Sequence, residues 1–348
     1  MDVQLTAEQR ALRDSAAKLA TDAAGRWNRG RGPGDIDPPA PDDVVWSRIV
    51  DAGWLAMGLR EENGGAGATA VDLGVVAEQL GYHAAPAPVP GTVLAAAQLE
   101  AWGAPAGLLE GVASGVLRVA PALAPDLAGF AGAAPAFAGA APAGLLAWDA
   151  AGAEVAFSPT TGRLHALGAP IPFADLTREV RPLGEPLPDA LSGLTSPDPA
   201  ARERLDALAL ALLVADLLGT AQAALDAALA HAKVRRQFGT VIGAFQAVQQ
   251  MLADAHVLVE ASRSAAYRAW WAVDTLSPGE ALRTGRVAKS FASRAAVEVC
   301  ETAVQVFGGI GMTWESPAHL WLRRAHADRF VFGDEHHHQT VLAATFKD

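Results

Sequence analysis

Cysteine is almost absent from the sequence: Cys300 is the single one among 348 residues. One thiol cannot form an intrachain disulfide framework or a cysteine-based zinc site, which excludes small disulfide-stapled domains and cysteine zinc fingers. Because disulfides belong to oxidising compartments, their absence agrees with a reducing environment, and we expect a cytoplasmic protein.

Positive charge is also scarce. Charged residues make up 19% of the chain, and 27 Lys and Arg face 38 Asp and Glu, which gives a formal net charge of -11. Proteins bind phosphate backbones through clustered positive charge, so we expect no nucleic-acid partner. Apolar residues account for 51% of the chain. That is enough for a large core, which excludes disorder as the main state, and the length suits two or three domains.

Signals for secretion or membrane insertion are lacking as well. Residues 1–20 are charged at amphipathic spacing, where a secretory signal would carry an unbroken apolar run. The longest apolar stretch, residues 208–230, could span a bilayer by length, but it contains Asp216 and Asp226 and no Trp or Tyr flanks it. We therefore interpret it as a buried helix of a soluble bundle and expect no membrane partner.

Three zones of different character follow one another along the chain. The first is helical, with a capped start at Thr6 to Gln9 and loops at 29–43 and 62–69. The second is rich in Ala, Gly and Pro, and short runs at 144–148, 154–157 and 163–167 predict strands. The third is helical again, with helices near 200–235, 242–276, 279–305, 317–328 and 335–346. The predicted domains are an N-terminal helical domain (1–117), a reduced β domain (118–196) and a C-terminal helical bundle (197–348).

Three groups of short sequence motifs follow one another along the chain. The first comprises GWLAMGL at 53–59, ENGGAG at 62–67 and EQLG at 78–81; the second is RRQFG at 235–239 with FQ at 245–246 and LADA at 252–255; the third is QVFGGIGMT at 305–313 with ESP at 315–317 and RRA at 323–325. Their order and separation resemble the acyl-CoA dehydrogenase family. The resemblance implies an α+β fold that is mainly α, with an N-terminal helical domain, a central β domain and a C-terminal helical bundle used for oligomerisation.

The resemblance also implies a flavin cofactor. An arginine offers a cationic fork for a pyrophosphate, an aromatic ring lies against adenine, and glycines let backbone N–H groups approach a phosphate. By resemblance, the residues that would contact an FAD shared across a subunit interface are Arg235, Gln237, Phe238, Gln246, Gln305, Gly308 and Gly309. The alternative is that Phe238 and Phe245 belong to the core and that Gly308 and Gly309 only end a helix.

The family's catalytic base has no counterpart in this sequence. Family members that oxidise a thioester use a carboxylate to remove the α-proton, and Phe332 stands where the C-terminal carboxylate belongs. Some relatives carry the base on an earlier helix, where this chain has Ala209. Three weak candidates remain: Asp216, seven residues after Ala209, and Asp334 and Glu335, the nearest C-terminal acids, although Asp334 and Glu335 could simply cap the helix at 335–346.

Two further features bear on the prediction of function. Nothing in 118–160 matches the family's loop that holds the flavin ring, so the β domain looks shortened. Five histidines lie close to the C-terminus (His319, His326 and His336 to His338), but three consecutive helical residues cannot all face one metal, and we expect no metal site. A polar helix at an interface or at the cofactor entrance is the preferred interpretation.

Within the family, a short chain with a reduced β domain and no base at the usual place resembles the partner subunits of actinobacterial heterotetrameric dehydrogenases that act on steroid side-chain thioesters. We therefore predict an FAD-dependent α,β-dehydrogenation of an acyl-CoA or carrier-bound acyl group, with the base supplied by a homologous chain in a dimer or tetramer. Two alternatives stay open: a self-sufficient flavoenzyme with a relocated base, and a structural subunit without flavin.

Overall fold

Helices form the first third of the chain. The structure, a computed structural model, describes residues 4–29, 31–130, 144–188 and 194–345. Thr6 begins the first helix through a reciprocal capping box with Gln9, as the sequence predicts. The N-terminal helices are α1 (Ala7–Asn28), α2 (Asp43–Asp51), α3 (Ala70–Tyr82), α4 (Val89–Ala101) and α5 (Ala106–Ala113).

A small closed barrel follows the N-terminal helices. Its strands are β1 (Val119–Leu123), β2 (Leu146–Ala147), β3 (Val155–Ser158), β4 (Arg163–Leu167) and β5 (Arg181–Pro186). The order around the barrel is β1-β2-β5-β4-β3, and β1 pairs with β3 in parallel while the other pairs are antiparallel. The predicted strands correspond to β2, β3 and β4. Strands β1 and β5 were not predicted, because their prolines obscure the strand pattern.

The last zone is a helical bundle, and every helix predicted there is confirmed to within a few residues. Its elements are α6 (Pro199–Val234), a hairpin of β6 (Arg236–Gln237) and β7 (Thr240–Val241), α7 (Gln246–Thr275), α8 (Pro278–Phe307), α9 (Ala318–Phe330) and α10 (Glu335–Ala344). The fold is therefore mainly helical with a small β domain, as the resemblance implies.

Helix α6 lies at the centre of the molecule. Within the described ranges it is the one helix that is long and apolar enough to cross a membrane, with a mean hydropathy of 1.9 in its most apolar window. However, 89% of that window is buried, against α3, α7, α8 and α9. This burial supports the interpretation of α6 as a core helix.

Two glycines let the backbones of α3 and α6 touch. A Cβ placed on Gly219 would lie 1.9 Å from the Glu78 carbonyl oxygen, and one on Gly81 would lie 2.2 Å from the Asp216 carbonyl oxygen. Both distances are far shorter than real contacts, so neither position admits a side chain. Gly81 belongs to the EQLG motif, and its physical role is this helix crossing.

Candidate cofactor-binding and catalytic site

The segments expected to contact FAD lie at one end of the helical bundle. Near the end of α6 the His231 ring packs against the Phe307 ring at the end of α8, with 4.6 Å between ring centroids. This contact brings the RRQFG hairpin, which follows α6, to the same end of the bundle as residues 305–309, which close α8. Two of the three sequence motifs are thus neighbours in space.

Arg235 and Arg236 differ in what they do. Arg235 ends α6, where its backbone N–H donates to the His231 carbonyl oxygen at 2.9 Å, and its side chain is exposed. The Arg236 guanidinium instead donates to the Gly239 carbonyl oxygen at 3.1 Å. Arg236 therefore closes the hairpin turn, while the Arg235 guanidinium makes no hydrogen bond to another described residue.

All seven residues expected to contact FAD are exposed in the single chain: Arg235, Gln237, Phe238, Gln246, Gln305, Gly308 and Gly309. The Phe238 side chain is 93% exposed, so the alternative that it belongs to the core is wrong. Exposed Arg and Gln groups beside an exposed ring have the donor chemistry that a dinucleotide needs.

The two glycines after α8 are not equivalent. Gly308 has φ +66° and ends the helix, which agrees with the helix-stop alternative. Gly309 has no positive φ, and a Cβ there would meet nothing within 4 Å. No packing in the described fold requires glycine at 309, so its small size suits the approach of a group from outside the chain.

An aromatic pair fills the place expected for the base. The Phe332 side chain is buried and packs edge-on against Phe130, with 4.8 Å between centroids and 80° between ring planes. The Phe332 N–H donates to the Leu127 carbonyl oxygen at 2.8 Å, which ties this turn to the segment after β1. Ala209, at the alternative base position, is also buried. Neither place contains a group that accepts a proton.

Asp334 and Glu335 both have structural partners. The Asp334 carboxylate caps α10 by accepting the His337 N–H at 2.8 Å. Glu335 forms a bidentate pair with Arg329. Burial is the largest single influence and would raise the pKa of Glu335, but the hydrogen bond and charge of Arg329, a backbone hydrogen bond and the charge of Lys289 together lower the pKa below its ordinary value. A catalytic role for either acid stays a prediction.

Asp216 lies in a fully buried cluster of charges. Its carboxylate accepts from Arg324 Nε and Nη2, both at 2.7 Å, and from Arg178 Nη2 at 2.5 Å. Burial opposes ionisation, yet the charges of Arg324 and Arg178 lower the pKa of Asp216 far below its ordinary value. Such a carboxylate is a poor proton acceptor, and its role as a base stays an untested prediction.

A further buried carboxyl faces Asp216. The Asp328 carboxyl lies 3.8 Å from Arg178 Nη1. Burial raises its pKa well above the ordinary value, and the nearby negative charge of Asp216 contributes to the rise. The cluster joins the segment before β5 to α6 and α9, so it connects the β domain to the helical bundle.

One acid near Phe332 was not identified in the sequence. Asp206 lies on α6 three residues before Ala209, and it lines a pocket of about 220 Å³ together with Phe332, His337 and His338. Helical spacing could have identified Asp206, because residues three apart on a helix share a face and Asp206 lies three residues before Ala209.

The C-terminal histidines are distributed over different environments. His319 packs edge-on against Trp314, with 4.7 Å between centroids. His336 is exposed, His337 is half-buried and His338 is buried. In the described part of the chain, no group of three or more His, Cys, Asp or Glu side chains is arranged to hold a metal.

Comparison with known families assigns both ends of the chain. Residues 6–107 match the acyl-CoA dehydrogenase N-terminal domain, and residues 200–346 match the acyl-CoA dehydrogenase C-terminal domain. The chain is 31% identical over 288 residues to acyl-CoA dehydrogenase IpdE2 of Mycobacterium tuberculosis, covering 82% of this chain and 81% of IpdE2. A match of 43% identity over 124 residues to acyl-CoA dehydrogenase FadE34 of the same organism spans only 17% of that protein.

Solved structures share the whole architecture. A variant of the Tcur3481–Tcur3483 steroid ACAD superposes with a TM-score of 0.77 at 25% identity, covering 98% of each chain. The ChsE4–ChsE5 complex of Mycobacterium tuberculosis gives a TM-score of 0.80 at 22% identity, covering 100% of this chain and 99% of the other. At this identity the second similarity establishes the fold.

Proposed function

Because the chain belongs to the acyl-CoA dehydrogenase family of oxidoreductases, we propose that it is one subunit of a hetero-oligomeric, FAD-dependent dehydrogenase of acyl thioesters. The observation that carries the proposal is the aromatic pair of Phe332 and Phe130 at the base position. The chain retains the exposed segments suited to a dinucleotide, but the two places expected for a base lack a carboxylate.

The fit of FAD to this chain rests on the exposed end of the bundle. Arg235 would hold the pyrophosphate, and Phe238 would lie against the adenine. Gly308 and Gly309 have no Cβ, so backbone N–H groups of this segment could approach a phosphate of the cofactor. When bound, FAD supplies the acceptor for the hydride that leaves the β-carbon of the substrate. This chain contributes binding and orientation of the nucleotide.

A homologous partner would complete the site. It would bring the carboxylate that removes the α-proton and the loop that holds the flavin ring. The exposed apolar side chains beside the FAD segments support such an interface: Phe238 is 93% exposed and Met312 is 78% exposed. The substrate is an acyl-CoA or a carrier-bound acyl group, and the similarity to the Tcur3481–Tcur3483 steroid ACAD supports a role in lipid or steroid catabolism. The single cysteine agrees with a cytoplasmic location.

The test of the proposal is the flavin content of Arg235→Ala, purified together with its partner chain. Loss of a charge-assisted contact worth roughly 1.5–3 kcal/mol weakens flavin binding by roughly 10- to 150-fold. Arg236→Ala is the matched control, since that neighbouring guanidinium binds the hairpin turn. Equal flavin content in both variants and the unmodified complex would contradict the assignment of Arg235, and a complex without any flavin would contradict the proposed function.

A further inference from the structure

A small pocket with a polar wall lies beside Phe332. It has a volume of about 220 Å³, is partly open to solvent, and is lined by residues of α6, α8, α10 and the turn after β1. The polar wall consists of Asp206 from α6, Arg286 from α8, and His337 and His338 from α10. We call it the Asp206 pocket. Four side chains with acid–base or hydrogen-bonding capacity thus converge on one cavity from three helices.

His338 is the most deeply buried member of this wall. Its side chain is 2% exposed, and neither ring nitrogen makes a hydrogen bond of ordinary geometry to any described residue. Burial, followed by the positive charge of Lys289, lowers its pKa to about 2, while the Phe332 backbone has a small opposing effect. The ring is therefore neutral and offers one donor and one acceptor that lack protein partners. A buried ring of this kind needs a partner inside the cavity.

Asp206 and Arg286 face the same cavity from opposite helices. Burial raises the pKa of Asp206 to about 6, although the Arg286 charge opposes the rise and Glu203 adds to it. Burial also lowers the pKa of Arg286. Among the described residues, no hydrogen bond or ion pair within 4 Å engages either side chain. Both groups therefore remain able to bind a ligand.

The remaining wall is apolar and limits the size of a ligand. Leu210, Leu282 and Phe332 contribute to it. A volume of 220 Å³ corresponds to roughly seven water molecules at about 30 Å³ each, which suits an organic molecule of about six heavy atoms. The occupant should therefore combine a short aliphatic part with one charged end.

We propose that the Asp206 pocket binds a short aliphatic carboxylate, whose charged end pairs with Arg286 and whose chain lies against Leu210, Leu282 and Phe332. His338 donates to the same carboxylate, and protonated Asp206 donates a hydrogen bond to it. The pocket adjoins the expected base position through Phe332. Binding of a carboxylate there requires neither flavin nor a catalytic base, so the titrations below can fail while the proposed function stands.

The charges around Asp206 make this binding depend on pH. Arg286 and Glu203 act on Asp206 itself, and Asp126, Asp334 and Lys289 act on the neighbouring His337. Above its pKa, Asp206 is ionised and repels a second carboxylate, whereas below it the carboxyl group is neutral and donates. Binding therefore takes up a proton, and affinity falls as pH rises through about 6.

The experiment titrates the purified full-length chain with butyrate, followed by calorimetry and by the NMR signals of the His338 ring. We expect saturable binding that weakens up to tenfold per pH unit above about pH 6, and no binding of neutral butyramide. Arg286→Gln should lose at least tenfold in affinity, while Arg286→Lys retains part of it. Asp206→Asn should bind butyrate with little pH dependence.

A second titration distinguishes a free acid from a carboxylate at the end of a thioester. Binding of glutaryl-CoA that weakens in Arg286→Gln would identify the thioester as the source, and binding of butyrate alone would identify the free acid. The proposal is overturned if butyrate does not bind at millimolar concentration, if butyramide binds equally well, or if a folded Arg286→Gln chain binds butyrate as the unmodified chain does.

Discussion

At the scale of single residues, the partners of Asp216 determine its chemistry. Arg178 and Arg324 lie 38 residues before and 108 residues after it in the sequence, so helical spacing gave no sign of either contact. The sequence shows Asp216 as an acid inside an apolar helix. It does not show that two guanidinium groups compensate the negative charge of its carboxylate. By contrast, Phe238 and Gly309 are exposed, as contact with a cofactor would require, and their contact with FAD stays a prediction.

The two buried carboxyls should respond differently to substitution. Asp216→Asn removes the ionised partner of two buried arginines, and we expect a loss of roughly 3–5 kcal/mol in the free energy of unfolding. Asp328→Asn should be tolerated better, because an amide resembles the protonated acid. Urea unfolding measures both effects, with Asp254→Asn on the exposed face of α7 as the control. Equal losses in the free energy of unfolding for Asp216→Asn and Asp328→Asn would contradict this expected difference.

The pH dependence of stability follows from the two opposite pKa shifts. Asp216 has a lowered pKa, so its contribution is present above the ordinary carboxyl value and is lost as pH falls towards the folded value. Asp328 has a raised pKa, so its contribution is present at low pH and is lost as pH rises through the folded value. Relative to the unmodified chain, Asp328→Asn should therefore gain stability as pH rises from the ordinary carboxyl pKa towards the raised pKa of folded Asp328. If the urea midpoints of Asp328→Asn and of the unmodified chain change with pH in parallel, that result would contradict a protonated Asp328 in the folded chain.

At the scale of secondary structure, prediction succeeded where the periodicity was long. Helices α6 to α10 were predicted because their apolar positions repeat over many turns and their ends carry caps. Strands β1 and β5 were missed, since Pro121, Pro182 and Pro186 resemble loop signals. Their pairing in the barrel depends on contacts across the sequence, which single-sequence patterns do not contain.

The crossing of α3 and α6 should tolerate no added methyl group. Gly219→Ala places a Cβ against the backbone of α3, so the helices must separate. We expect a loss of roughly 1–3 kcal/mol or more in the free energy of unfolding, measured by urea denaturation. Gly107→Ala in α5 is the control, because a Cβ there meets nothing within 4 Å and alanine favours a helix. A stabilised or unchanged Gly219→Ala chain would contradict the close approach of the backbones.

At the scale of the whole molecule, the exposed apolar side chains beside the FAD segments predict association. We expect at least a dimer at micromolar concentration in light scattering, because Phe238 and Met312 expose large apolar surfaces at one end of the bundle. Phe238→Asp should weaken assembly, whereas Val116→Asp, at an equally open position between α5 and β1, should not. A strictly monomeric mass for the unmodified chain, alone and with its partner, would contradict the prediction.

The lone chain should not dehydrogenate an acyl-CoA. Phe332 and Ala209 occupy the two places where the family carries a base, and loss of a general base typically costs about 10²- to 10⁴-fold in rate. The measurement is flavin reduction by candidate acyl-CoAs, with and without a co-expressed homologous chain. We expect reduction only when the homologue supplies the carboxylate.

Four candidate acids of this chain decide between a lost base and a relocated one. Asp216→Asn, Asp334→Asn, Glu335→Gln and Asp206→Asn are each assayed alone and in the complex. If the base comes from the partner, Asp334→Asn and Glu335→Gln should change stability more than turnover, since one caps α10 and the other pairs with Arg329. Asp206→Asn should leave turnover of the complex intact while it alters the binding of butyrate. Robust turnover by the lone chain that disappears in one folded variant would instead show that the base has moved to that residue.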